Sequence, residues 1–267
     1  MKRMRRIKDD WTEEDVQFLM QHGIKAEVGW MKFYIEEEDE RYHAIRKHFD
    51  SRWGNSILFD FLYYEYSEDE FDSADYYLII DWHGCGYPQP EAGFKYESIS
   101  FDAGKICPEC GSGMVQTNSL RVNKLSKHGF WSFFAWLTDE FFVSEKVYNE
   151  VFAPFGIKKR EIIKGGKAVD GVYQLVIPIT DESIDLSDRK HYTCPYCGET
   201  KYTLHHFQYP FFPLHENPLP GIYKTKEYFG SDHQSRRVII LSKEVVDKLI
   251  KSKDLKKDWL IPCRRKE

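Results

Sequence analysis

The chain of 267 residues contains no apolar run near the roughly 18–20 residues that a membrane-spanning helix needs. Its basic start, Met1 to Lys8, leads directly into Asp9-Asp10 with no apolar stretch, so no secretory leader is expected. Catalytic signatures are also lacking. There is no G-x-S-x-G elbow, no G-x-x-x-x-G-K-[ST] phosphate loop and no G-x-G-x-x-G fingerprint. A zinc-deaminase pattern fails because His83-Gly84-Cys85 lacks the glutamate and Pro108 follows Cys107 instead of preceding it. Ser231-Asp232-His233 holds triad residue types, but neighbours in sequence do not give triad geometry, and a polar turn is the better reading. We therefore expect no enzymatic activity. A net charge of −5 argues against bulk nucleic-acid binding, which calls for a basic surface.

Cysteine is scarce at six residues, and four of them fall in two matching hooks. These are Cys107-Pro108-Glu109-Cys110-Gly111 and Cys194-Pro195-Tyr196-Cys197-Gly198, separated by 83 residues. Each C-x-x-C turn presents two thiolates from one loop, and two such turns complete a tetrahedral four-sulfur site. A glycine after each hook suits a backbone that must turn with positive φ. The expected ligands are thus Cys107, Cys110, Cys194 and Cys197, and the expected cofactor is Zn2+. Four thiolates close the coordination shell, so the metal is expected to be structural, not catalytic. Hooks of this kind, in a chain with no export signal, fit a reducing cytoplasm. Cys85 and Cys263 are expected to be packed thiols, and His205-His206 to lie near the metal or serve packing.

An aromatic content of 16% and a hydrophobic content of 42% give ample core. Thr12 reads as an N-cap followed by Glu13, Glu14 and Asp15, with Gly23 as a stop. A strand is expected over 28–35. A helix should start in the acidic block 36–40 and turn Tyr42, Ile45 and Phe49 to a core. Segments 57–66 and 76–82 read as strands that could pair antiparallel across an acidic loop, and 94–101 as one more strand. Segments 119–125, 172–179, 238–241 and 259–261 are also strand-like. Ser144 and Ser242 are expected to cap helices, the first ended by Pro154 and Gly156. The sum is an α+β fold, mainly antiparallel sheets with a few short helices and a zinc-ribbon-like four-cysteine site. Three segments are expected: 1–106, 107–210 carrying the hooks, and 211–267.

At the hooks and between them the chain resembles the bacterial double-CXXCG immunity family. The matching features are Cys107, Cys110 and Gly111, then Cys194, Cys197 and Gly198. Phe141-Phe142-Val143-Ser144-Glu145-Lys146-Val147 and Phe155-Gly156 are similar to that family's intervening segment. The resemblance covers roughly residues 75–210 and implies a cytosolic antidote that binds and neutralises a cognate bacterial toxin. A partner surface compatible with this is the cluster Glu65, Glu68, Asp69, Glu70, Asp72 and Asp75, set among tyrosines and phenylalanines. The alternative is a zinc-ribbon nucleic-acid module using Lys2, Arg3, Arg5 and Arg6, or Lys158-Lys159-Arg160, on phosphate.

Overall fold

A computed structural model describes residues 1–53, 59–203 and 211–265. Two compact units emerge. Among the described residues, the first comprises 1–53 and 59–73, the second 74–203 and 211–265. The segments drawn from the hooks follow sequence landmarks, whereas the compact units divide between Ser73 and Ala74.

The first unit is a three-stranded antiparallel sheet with helices on one face. Strand β1 (Lys2–Trp11) lies between β2 (Gly29–Glu36) and β3 (Phe59–Glu65). Helix α1 (Glu13–Gln21) starts from a reciprocal capping box. Thr12 Oγ1 accepts from the Asp15 amide at 3.3 Å and Asp15 Oδ2 from the Thr12 amide at 2.8 Å. Helix α2 (Glu40–Trp53) presents Tyr42, Ile45 and Phe49 to a core shared with Ile7, Trp11, Leu19, Phe33 and Ile35, as the helical spacing predicts.

The basic start of the chain, for which the sequence offered no place, is the central strand of this sheet. Its cations are matched by the acidic block and by Asp60 of β3: Arg3 pairs with Glu37 at 2.6 Å, Arg5 with Glu37 and Asp60, and Lys2 with Glu36. Glu36 therefore closes a strand, Glu37 follows it, and α2 begins only at Glu40. Lys2, Arg3 and Arg5 are thereby committed to carboxylates of the same unit.

In the second unit, β4 (Tyr76–Ile79) sits at the middle of a five-stranded sheet. Its neighbours are β14 (Ile239–Ser242) and β15 (Leu260–Arg264), with β12 (Ile222–Lys224) and β11 (Phe212–Pro213) at the edges. The expected pairing of 57–66 with 76–82 is therefore not formed: β3 pairs with β1, and β4 with β14 and β15. The acidic stretch between them holds helix α3 (Glu68–Asp72). Helix α6 (Lys243–Lys251) packs on β14 and β4 and buries Val245, Val246 and Leu249. Ser242 occupies its N-cap position in extended conformation, yet its hydroxyl makes no capping bond.

A four-stranded sheet runs β5 (Phe130–Ser132), β6 (Phe141–Ser144), β8 (Lys167–Val176), β7 (Lys158–Lys164). Stacked rings fill its core, with Trp131 and Phe142 at 4.4 Å and Phe130 and Phe141 at 4.6 Å. The Phe141–Ser144 part of the family-like segment is a buried strand of this sheet. Ser144 caps α5 (Glu145–Val147), its Oγ accepting from the Val147 amide at 3.3 Å. The coil then loosens and ends at Gly156, whose φ of 71° is the left-handed stop.

Segment 94–101 is not a strand. Gly93 and Phe94 turn the chain with φ of 62° and 53°, and α4 (Tyr96–Ser100) follows, burying Tyr96 and Ser100 one helical turn apart. Segment 119–125 forms only isolated bridges at Arg121 and Val122, although Leu120 and Val122 are buried. No described helix is long and apolar enough to cross a membrane.

Candidate metal centre

The second hook is the turn of a β-hairpin. Strands β9 (His191–Thr193) and β10 (Thr200–Tyr202) pair antiparallel, with the facing hydroxyls of Thr193 and Thr200 3.0 Å apart. Strand β13 (Tyr228–Phe229) lies parallel to β10 on its other side. The first hook is a loop after α4, and the two hooks share one backbone design. The Gly111 amide donates to the Cys107 carbonyl and the Gly198 amide to the Cys194 carbonyl, both at 2.9 Å. The Cys107 amide likewise donates to Ser112 O and the Cys194 amide to Glu199 O, again at 2.9 Å. Both glycines have positive φ, 71° and 76°.

This geometry brings all four predicted ligands together. The sulfurs of Cys107, Cys110, Cys194 and Cys197 lie within 4.8 Å of one another. Cys107 and Cys194 are 3.9 Å apart, and Cys110 and Cys197 are 3.6 Å apart. A tetrahedral centre with metal–sulfur bonds of about 2.3 Å places its sulfurs about 3.8 Å apart, so the donor set fits such an ion. The cluster can hold a metal ion, and it is the one such group of metal-binding side chains among the described residues. Three of the cysteines are buried and Cys197 is exposed. Burial pushes the Cys110 thiol up to about 11, while the Glu199 amide and the Ser112 hydroxyl hold Cys197 down at about 6.

Two supporting side chains, Lys201 and Ser112, escaped the sequence reading, and the polar turn expected at 231–233 supplies further support. Lys201 of β10 is 1% exposed, and its ammonium donates to Cys110 O at 3.0 Å, to Gln234 O at 3.1 Å and to Asp232 O. Four thiolates on a divalent ion carry net charge −2, and a buried ammonium one peptide from Cys110 offsets part of it. Ser112 Oγ lies 3.1 Å from Cys110 Sγ and 3.6 Å from Cys197 Sγ. The Ser231-Asp232-His233 turn packs on the first hook, with His233 Nδ1 3.2 Å from Pro108 O. A Cβ on Gly111 would overlap the His233 carbonyl oxygen. Nothing in the sequence pattern marks a lysine seven residues after Cys194 as buried.

The remaining cysteines are packed as expected. Cys263 is 3% exposed on β15, and burial drives its thiol far above the ordinary range. Cys85 packs against the cluster around Trp131, and burial raises its pKa. His83 stacks on His128 at 3.4 Å, and burial lowers its pKa. His205-His206 lies outside the described residues.

The acidic residues are less uniform than their clustering in sequence suggests. Glu65 ends β3 and accepts from the Tyr63 hydroxyl at 3.1 Å. Glu70 completes a capping box, its carboxylate accepting from the Ser67 amide at 3.0 Å. Glu68, Asp69 and Asp72 are exposed around α3, and Asp75, also exposed, belongs to the second unit.

No protein-family model, no curated protein and no solved structure matches this chain.

Proposed function

We propose that the chain is a zinc-binding interaction protein of the cytoplasm, an immunity protein that binds and neutralises a cognate bacterial toxin. The observation that carries the interaction reading is the closed shell of four sulfurs within 4.8 Å, which leaves a bound ion no open position for a substrate. A metal so enclosed fixes the fold, and the function then lies on a surface. Four sulfur donors in near-tetrahedral spacing favour zinc among the common divalent ions, and free thiols of this kind persist in a reducing compartment.

The toxin-neutralising part rests on the resemblance of the two hooks and the Phe141–Val147 segment to the double-CXXCG immunity family. Within the first unit, the exposed carboxylates of Glu65, Glu68, Asp69 and Asp72 suit a basic partner such as the cleft of a nucleic-acid-attacking toxin. Co-expression with the product of the adjacent gene tests this. A stable stoichiometric complex that relieves growth arrest supports the reading; a neighbour that neither arrests growth nor binds removes it.

A further inference from the structure

A cavity of about 270 Å³ lies within the second unit, and no cysteine lines it. Small-molecule sites combine an apolar wall with a few converging polar groups, and this cavity has both. The wall is formed by the buried side chains of Leu137, Leu175 and Ile177. The polar groups come from separate parts of the chain. Asp139 and Glu140 precede β6, Arg160 lies on β7, Gln174 on β8 and Lys224 on β12.

The hydrogen-bonding capacity of these groups is not all spent. Lys224 Nζ has three protons to donate. Two go to Glu140 Oε1 at 2.6 Å and Asp139 Oδ2 at 3.3 Å, which leaves one. The carboxylates are largely used within the network. Glu140 Oε2 accepts from Gln174 Nε2 at 2.8 Å, and Asp139 Oδ2 also accepts from the Arg237 amide at 3.2 Å. Arg160 stands opposite Gln174 in the β7–β8 register and so shares its face. Its guanidinium nevertheless makes no hydrogen bond or ion pair with any described residue. Ser235 also lines the cavity, and its Oγ is buried without a partner. A buried hydroxyl left unpaired is destabilising, and such a group calls for an explanation in function.

The unspent groups select the occupant. Lys224, Arg160 and Ser235 all offer donors, so the ligand must accept. Arg160, Lys224 and Arg237 face Asp139 and Glu140, a surplus of one positive charge. Arg237 is fixed by its bonds to Thr225 O and Lys226 O and by the Tyr228 ring, whose centroid lies 4.0 Å from it. A ligand with a single negative charge balances the surplus, whereas a phosphate dianion overshoots it beside two carboxylates. The planar guanidinium of Arg160 matches a carboxylate bidentately, and the apolar wall suits a carbon skeleton. We propose that this cavity binds a small monocarboxylate, its carboxylate held by Arg160, Lys224 and Ser235 and its apolar end against Leu137, Leu175 and Ile177. This site is independent of the toxin-neutralising reading.

Ligand-observed NMR titration of the full-length, metal-loaded protein with hexanoate, benzoate and phenylacetate tests it. At least one of the three is expected to bind saturably, about tenfold more tightly than its uncharged primary amide. Arg160→Met should weaken that binding about tenfold, and Ser235→Ala about threefold. Lys167→Ala, exposed on β8 and outside the cavity, should leave it unchanged. Neither test side chain bonds to a described residue, so thermal melts of both variants should match the parent. Absence of saturable binding by all three acids would overturn the proposal. So would equal affinity for the amides, or indifference to both variants. Displacement of the acid by a lower concentration of inorganic phosphate would assign the cavity to phosphate instead, and would also overturn it.

Discussion

The ammonium of Lys201 donates to the backbone carbonyl of Cys110 at 3.0 Å, although the two residues are 91 positions apart. Through it, the strand that follows the second hook holds the loop of the first. The same ammonium gathers Asp232 O and Gln234 O, so three chain segments meet at one buried charge. Lys201→Met would leave these carbonyls unpaired and remove the cation beside the thiolate cluster. We expect a loss of about 3 kcal/mol in stability, read by denaturant unfolding of the metal-loaded protein. Unchanged unfolding would show that the lysine is dispensable.

The two hook glycines share a conformation but differ in surroundings, and this separates two effects in one comparison. Gly198, at φ 76°, has no atom near a prospective Cβ, so Gly198→Ala should cost about 1 kcal/mol from the left-handed backbone alone. Gly111, at φ 71°, abuts the His233 carbonyl, so Gly111→Ala must also displace the 231–234 turn. Its cost should be larger by at least about 1–2 kcal/mol, measured by the same unfolding experiment. Equal costs would contradict the packing of that turn on the hook.

Lys224 is buried on β12 with its ammonium 3.3 Å from Asp139 and bonded to Glu140 at 2.6 Å. Burial alone would lower its pKa, but the two carboxylates outweigh this and raise it above the ordinary 10.5. A raised folded-state pKa means that the stabilisation is fully present below the unfolded value. It is lost as pH climbs through the folded one. Stability should therefore fall in alkali above the ordinary lysine value, and Lys224→Met should remove that component. The substitution itself should cost about 3–5 kcal/mol at neutral pH, because it strands two carboxylates. Unfolding curves of the parent and the variant across alkaline pH provide the check.

Cys197 is the exposed member of the four clustered cysteines, and the others are buried. After chelation, alkylation should reach Cys197 first, and the metal-loaded protein should resist it. Peptide mapping after a brief pulse of iodoacetamide reads the order. Labelling that begins at Cys107 or Cys194 would contradict the placement of the hooks.

How far the sequence carried the fold depended on whether a pattern was local. The capping box of Thr12 and Asp15 and the helical spacing of Tyr42, Ile45 and Phe49 are short-range signals, and each lies where its pattern places it. The four-cysteine cluster was legible because two matching C-P-x-C-G hooks in one chain point to a shared site. Strand partners were not, since β3 and β4 are close in sequence yet belong to different sheets, and nothing local specifies which edge a strand joins. The charged run at Met1–Lys8 concealed a central strand, because its cations are offset by carboxylates from β2 and β3 and from Glu37 beyond β2. Segment 94–101 was expected to be a strand, but positive φ at Gly93 and Phe94 redirects the chain into a helical turn. Lys201 was hidden for the same reason as the sheet order, since its partners are set by tertiary contact alone.

The central claim is that the two hooks close around one metal ion and so join segments 83 residues apart. Elemental analysis of purified protein, coupled to cobalt substitution, tests it most directly. We expect one zinc per chain, and a cobalt form with the intense sulfur-to-metal absorption and tetrahedral bands of a four-thiolate site, both abolished by Cys194→Ser. Protein that is folded, metal-free and indifferent to chelator would contradict it.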